Sequence, residues 1–343
     1  MYMYTIINAE DYFYTLYKKI REAKDYIYIQ AMSVEFSLHN KIISDEIIES
    51  AKRGVKVYIN IDWYSKMYTG KQMNKLPIIN KGKRDLTYKI RLENLREIQK
   101  MKKVNVDIAY LNRPNNTFGE YIPFIGRNHM KFTIVDNCIY IGGTNLSVDS
   151  FSNIDFMMES CNKKLINSSI TLFFENRNIR SLHPSKIQIA NDTSLLIDSG
   201  KIGDSIIYRN SLDLTDKAQK SIKYVSQFLP DFELLKKMKQ AKRRGVSVDI
   251  MTYHKGMALS KVKGRVEQLL FNIFSEDLSA TQIKKYVHAK LLIIDNINTI
   301  FGSHNFSKFG VLFGTKEIAI NSTNPDLILS LNNWLDNVTI RNY

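Results

Sequence analysis

The sequence predicts an α/β protein of two homologous lobes, each a mixed, mostly parallel β-sheet flanked by helices, pseudo-twofold related, with one active site at their interface. Three observations predict this. A strand-helix-strand pattern occurs twice; the string A-K-R-(R)-G-V-x-V marks the same helix exit twice, at Ala51 to Val57 and Ala241 to Val248; and one polar motif recurs 159 residues after its first copy.

Taken in order, DYIYIQAMSVEF (residues 25–36) reads as a strand, IISDEIIESAKRG (42–54) as an amphipathic helix closed by Gly54, and VKVYINID (55–62) as a second strand. That is a βαβ unit, which favours parallel neighbours in a sheet covered by helices. NHMKFTIVDNCIYIGGTNLS (128–147) follows as a strand, a tight turn at Asp136-Asn137 and a partner strand, and KKLINSSITLFFENRNI then reads as a helix. A boundary is expected in the polar stretch around His183 and Pro184, giving lobes 1–182 and 183–343. The second lobe repeats the order with KSIKYVSQFLPD, FELLKKMKQAKRRG ending at Gly245, VSVDIMTY, and VHAKLLIIDNINTIFGSHNFS (287–307).

Gly54 and His129 are 75 residues apart, whereas Gly245 and His288 are 43 apart. The surplus coincides with a basic segment, residues 66–103, where twelve Lys and Arg face only Asp85, Glu93 and Glu97. It is expected to be an insertion in the first lobe, either a basic arm or lid or a solvated helix face.

The repeated motif carries the chemistry. Both copies read H-x-K-x-x-x-x-D, then a hydrophobic stretch, then G-[GS]-x-N-x-S: His129, Lys131, Asp136, Gly142, Gly143, Asn145 and Ser147 match His288, Lys290, Asp295, Gly302, Ser303, Asn305 and Ser307. Residues i and i+2 of a strand share a face, so each histidine and lysine point together. Lysine is not a ligand for ordinary protein metals and no H-E-x-x-H or carboxylate-rich loop occurs, so neither metal nor cofactor is expected. Histidine beside lysine suits an anion: the ammonium neutralises phosphate charge while the imidazole attacks or exchanges protons. Asn145 and Asn305 add amide donors, and Gly143 and Ser303 complete the expected phosphate cradle. In-line displacement at phosphorus needs a nucleophile on one side and a proton donor opposite, which explains two copies meeting at one site.

Composition narrows the class. A chain of 343 residues that is 44% hydrophobic can bury one large or two ordinary cores, and two cysteines exclude a disulfide framework or cysteine-rich zinc site. No apolar run of about 18 residues occurs, and the N-terminus meets Glu10 and Asp11 before any long apolar segment, so neither a membrane span nor a secretory signal is expected. The net charge of +15 fits an anionic partner, nucleic acid or an acidic membrane surface, and equally a Lys-rich bias accompanying abundant Ile and Asn. A cytoplasmic protein, peripheral at the membrane if its substrate is lipid, is the expectation.

The duplicated H-x-K-x-x-x-x-D and G-[GS]-x-N strings resemble the signature of the phospholipase D superfamily over nearly the whole chain, and YIYIQAMSVEF, FLPDFELLKKMKQAKRRGVSVDIM and HAKLLIIDNINTIFGSHNFS resemble its bacterial cardiolipin-synthase branch. The resemblance implies a phosphodiesterase or phosphatidyltransferase acting on phospholipids through a covalent phosphohistidine. His129 would be the nucleophile and His288 the acid/base, with Lys131, Lys290, Asn145 and Asn305 holding the phosphate. Asp136 and Asp295 complete the catalytic motif as structural members, seven residues along being too far to share the phosphate. A carboxylate should orient each imidazole: Glu317 fits the acidic residue after the second motif, and Asp155, over Glu159, is the choice in the first lobe. The same superfamily contains metal-independent nucleases, and the basic segment favours that alternative; the implied partner is an anionic phospholipid surface or nucleic acid.

Overall fold

A computed structural model of the chain describes residues 4–69, 72–73, 84–113, 125–178, 184–253, 278–283 and 285–342. In the first lobe the strands are β1 (Tyr4–Asn8), β2 (Tyr26–Ala31), β3 (Lys56–Asp62), a small hairpin of β4 (Tyr68–Thr69) and β5 (Gln72–Met73), β6 (Asp107–Leu111), β7 (Phe132–Val135), β8 (Cys138–Gly142) and β9 (Phe156–Ser160). All but the hairpin form one sheet in the order β1-β9-β8-β7-β2-β3-β6. The second lobe has β10 (Ser185–Ala190), β11 (Thr193–Ser199), β12 (Ser221–Ser226), β13 (Ser247–Tyr253), β14 (Ser279–Ile283), β15 (Leu291–Ile294), β16 (Asn298–Gly302) and β17 (Lys316–Ser322). Their order, β10-β11-β17-β16-β15-β12-β13-β14, repeats the first sheet strand for strand once β10 is set aside.

Both sheets are mixed, but the expectation of mostly parallel strands is corrected. Only β2-β3-β6 and β12-β13-β14 pair in parallel, and the other neighbours are antiparallel. The cause is local. Crossover helices can join only parallel strands, whereas each motif strand turns straight back on its partner through a short loop. At those loops Asp136 (φ +46°), Asp295 (φ +57°) and Asn296 (φ +53°) take left-handed backbone, which short polar side chains tolerate.

Helices α1 (Ala9–Glu22), α2 (Lys41–Lys52), α3 (Tyr64–Met67) and α4 (Arg84–Lys103) belong to the first lobe, and α5 (Lys163–Glu175) follows β9. In the second lobe α6 (Ile206–Lys217) and α7 (Phe232–Arg243) repeat α1 and α2, and a helix of Pro325–Asn342 ends the chain. Asn8 caps α1 by accepting from the Asp11 N–H, and Tyr12, Phe13, Leu16 and Ile20 bury one face. Asp231 caps α7 in the same way, accepting from the N–H groups of Glu233 and Leu234.

These helices produce a layered molecule. Residues of α1, α2 and α4 pack on one face of the first sheet, and residues of α6 and α7 on one face of the second. The largest core lies between the sheets, where Phe132, Phe156, Leu291 and Phe301 meet Leu172 and Phe173 of α5 and Leu331 and Trp334 of the C-terminal helix. Both inner sheet faces therefore share one core.

The basic segment differs from its reading as an insertion. Its helix, α4, packs against α2 and buries Ile90, Ile98 and Met101. Each such side chain stabilises the fold by about 1.5–3 kcal/mol, which outweighs a few tenths per like-charged pair on the exposed face. α4 is the crossover between the parallel strands β3 and β6, so the first lobe's extra length is divided between residues 63–106 and 112–131. Residues 70–71 and 74–83 of the segment, and the boundary at 182/183, lie outside the described residues.

Candidate active site

The two motif segments enter the site in matching arrangements, each just before its strand, fixed by backbone bonds between lobes. The His129 N–H donates to the Lys316 carbonyl (2.8 Å) and the Lys316 N–H donates back to Arg127 (2.9 Å). Correspondingly, the His288 N–H donates to the Ile154 carbonyl (2.9 Å) and the Ile154 N–H to Tyr286 (2.9 Å). The next residues after Lys316 and Ile154 are Glu317 and Asp155. Each histidine is thereby docked beside a carboxylate of the opposite lobe.

His129 Nδ1 lies 2.9 Å from Glu317 Oε1 and 3.0 Å from both Glu317 Oε2 and the Ser303 carbonyl oxygen. His288 Nδ1 lies 2.7 Å from Asp155 Oδ2. All these partners are acceptors, so in each neutral ring Nδ1 carries the hydrogen and Nε2 keeps its lone pair. Both histidines line one cavity of about 590 Å³, together with Asn145, Asn305 and Glu317. Glu159, the rejected alternative, accepts from the Tyr140 hydroxyl instead (2.9 Å).

Charge in the site is set by burial. Lys131 and Lys290 are 1% exposed, and each ammonium donates to the carbonyl of its own motif histidine. Burial brings Lys131 down to about 7 against the pull of Glu317, and Lys290 down to about 8 against Asp155 and Glu317. Neither lysine is among the side chains lining the cavity; each is held at the backbone of its own histidine. Burial, reinforced by the Lys290 charge, lowers His288 to about 3, and burial also lowers His129 despite Glu317. Burial alone would raise Glu317, but His129 with His304 and Lys131 holds it at about 2; Asp155 is likewise held low by His288 and Lys290. At neutral pH the free site thus contains two neutral imidazoles, each against an ionised carboxylate.

Other expected site residues take different places. Asp136 accepts from the N–H groups of Lys24, Asp25 and Tyr26, and Asp295 from those of Gln219, Lys220 and Ser221. Grouping them with the catalytic residues is therefore corrected: they tie each motif hairpin to the start of the neighbouring strand, away from the cavity. Gly143 and Ser303 are also corrected as phosphate binders. A Cβ at Gly143 would stand 2.5 Å from Asp155 Oδ1, so the glycine makes room for that carboxylate. Ser303 donates its hydroxyl to Glu317 and accepts from the Ile318 N–H (3.0 Å). Asn145 accepts from the Ser33 N–H (3.2 Å), which leaves its amide NH2 to donate into the cavity.

Several contributors escaped the sequence reading. Buried Asp62 accepts from Arg127 Nη1 (3.2 Å), the Asn128 N–H (2.7 Å) and Asn112 Nδ2 (2.7 Å), anchoring the approach to His129. Tyr286 stacks on His288 (centroids 5.9 Å, 27°) and donates to Gln227 Oε1 (2.7 Å). The cavity's apolar wall, Phe228, Leu229, Phe309 and Phe313, lies in a loop and at a five-residue helix too short to show periodicity; the phenylalanines themselves were the available signal.

Two lobes of one fold presenting a pair of motif histidines to a single cavity define a member of the phospholipase D superfamily. The chain belongs to the family described as cardiolipin synthase, PLD-like domain, which matches residues 16–177 and again 212–339. It is 26% identical over 249 residues to minor cardiolipin synthase ClsB of Bacillus subtilis (strain 168), covering 65% of this chain and 58% of that protein. Among solved structures it is similar to phosphatidylserine synthase of Haemophilus influenzae Rd KW20, with a TM-score of 0.73 at 14% identity, covering 98% of this chain and 86% of that one. Polyphosphate kinase from Porphyromonas gingivalis gives a TM-score of 0.59 at 13% identity, covering 94% of this chain and 48% of that one. At such identities the solved structures show a common fold. Among the described residues no helix is long and apolar enough to cross a membrane.

Proposed function

We propose that this protein is a phosphatidyltransferase or phospholipase D acting on phospholipids through a covalent phosphohistidine. The observation that carries the reading is the pair of imidazoles in one cavity, each with Nδ1 committed to a carboxylate and Nε2 free. His129 Nε2 attacks phosphorus as the bond to the head-group oxygen breaks, and His288 gives that oxygen its proton. An acceptor alcohol or water then loses a proton to His288 and attacks the phosphorus, breaking the P–N bond and restoring His129. The phosphodiester's negative charge offsets Lys131 and Lys290, raising the proton affinity of the neighbouring imidazoles so that His288 can arrive at the transition state charged.

A lipid substrate is favoured over nucleic acid by the aromatic wall of the cavity and by the family match. Among the described residues, the basic segment 66–103, which argued for a nuclease, contributes no lining side chain. Incubation with labelled phosphatidylglycerol vesicles, and separately with single- and double-stranded DNA, tests the substrate. Phosphatidyl transfer or phosphatidic acid is expected; cleavage of DNA without lipid turnover would overturn the reading. His129→Ala and His288→Ala should each lower turnover by about 10³-fold or more with unchanged circular dichroism. Alkaline quenching and peptide mapping should find the phosphatidyl group on His129; its appearance on His288 would reverse the two roles.

A further inference from the structure

The cavity walls differ in character. Polar side chains of both lobes line it, but all its phenylalanines, Phe228, Phe309 and Phe313, come from the second lobe together with Leu229. Around the apolar side, large hydrophobic side chains face outward: Phe232 is 77% exposed, Ile202 68%, Phe309 67% and Leu312 49%. They come from the turn before α6, the first turn of α7 and a short helix after the second motif, fastened to one another. The Gly203 N–H donates to the Val311 carbonyl (3.0 Å), which sets Ile202 beside the short helix Lys308–Leu312. The Lys308 N–H donates to Asp231, the cap of α7, which sets Phe232 beside the same helix. The Phe309 and Phe313 rings meet at a tilt, 6.1 Å between centroids, joining this rim to the cavity wall. A contiguous outward apolar surface on a fixed backbone marks a place of contact.

The geometry points to this rim as the surface by which the C-terminal lobe inserts into a phospholipid bilayer, so that substrate passes into the cavity from the plane of the membrane. The inference rests on the lipid reading of the site. A bilayer fits better than a protein because the rim and the cavity share a side chain: Phe309 lines the cavity and is also 67% exposed. A protein seated there would close the mouth, whereas a bilayer brings acyl chains against the phenylalanines and a phosphodiester toward the histidines. Lys201 and Lys308 stand on the same segments with 73% and 56% exposed side chains, and their ammonium groups can reach head-group phosphates. Asp204 and Glu233 partly offset them, at 3.9 and 3.1 Å, so the aromatic and aliphatic side chains must carry the attachment while the +15 chain is drawn to anionic lipid over longer range.

The test is a double substitution, Ile202→Ser with Phe232→Ser, at two exposed positions outside the cavity lining. Sedimentation of the full chain with phosphatidylglycerol-phosphatidylcholine vesicles should show vesicle affinity reduced at least tenfold. Turnover of vesicle lipid should fall with it, while hydrolysis of the soluble diester bis(p-nitrophenyl) phosphate and the circular dichroism spectrum stay at wild-type values. Unchanged vesicle affinity would overturn the proposal, as would a substitution that altered only self-association in sedimentation velocity. Wild-type turnover of short-chain monomeric phosphatidylglycerol without any vesicle binding would overturn the docking surface alone. Vesicle binding lost on substitution, with no lipid turnover by the wild type, would support the surface and overturn the catalytic reading.

Discussion

At the scale of single residues, the site depends on which atom of each imidazole is occupied. Asp155→Asn and Glu317→Gln keep the shape but replace an acceptor with a group that can donate to Nδ1, favouring the wrong tautomer. Each should lower kcat by about 10²–10⁴-fold with little change in KM, measured under saturating lipid. The pH profile follows from the same burial. Lys131 and Lys290 lose their protons near 7 and 8 in the free protein, so kcat/KM should decline as pH rises through that range. Stability moves the other way. With His288 at about 3 folded and about 6.5 unfolded, the unfolded chain binds the extra proton between those values, and stability falls as pH drops through this window by up to about 1.4 kcal/mol per unit. The depressed Glu317 and Asp155 add loss of the same sign at lower pH; urea midpoints between pH 7 and 4 would measure the His288 part. The motif residues themselves could be read from the chain because their spacing is written twice. Which carboxylate serves which histidine could not, since the exchange between lobes changes no spacing along the sequence. Gly143 and Ser303 were misassigned for a related reason: their partners, Asp155 and Glu317, approach only after folding.

At the scale of elements, the two motif hairpins are held by the half-buried carboxylates of Asp136 and Asp295 rather than by the turn alone. Asp136→Ala or Asp295→Ala leaves three backbone N–H groups without their acceptor, and each should cost about 1–3 kcal/mol, read as a lower urea midpoint at an unchanged slope. Activity at low denaturant should survive either change, which separates these aspartates from Asp155 and Glu317. Strand and helix order was legible from the repeated strand-helix-strand strings, because glycine-terminated helices and apolar strands obey local rules. Helix α4 was harder: its Lys and Arg dominate the composition, while the stripe of Ile90, Ile98 and Met101 that seats it against the sheet is short and irregular. Sheet direction was misjudged because a βαβ unit dictates parallel pairing for only its own strands. The hairpins that deliver the histidines add antiparallel neighbours in both sheets.

For the whole molecule, the core between the sheets makes the lobes interdependent. Trp334 of the C-terminal helix packs on Phe156 of the first sheet (4.6 Å between centroids), while α5 of the first lobe contacts β10 of the second. Equilibrium unfolding in urea should therefore be a single transition, with tryptophan fluorescence and far-UV circular dichroism superimposing; two separated transitions would show that the lobes unfold independently. The duplication was visible in sequence, but the shared core was not, because each lobe's apolar residues satisfy a core of its own on paper. The exchanged carboxylates give this union a further consequence. A slight parting of the lobes would withdraw Glu317 from His129 and Asp155 from His288 in the same motion, so the reaction has no half-working state. Turnover is then a gauge of lobe alignment, and under mild denaturant it should fail before any spectroscopic sign of unfolding.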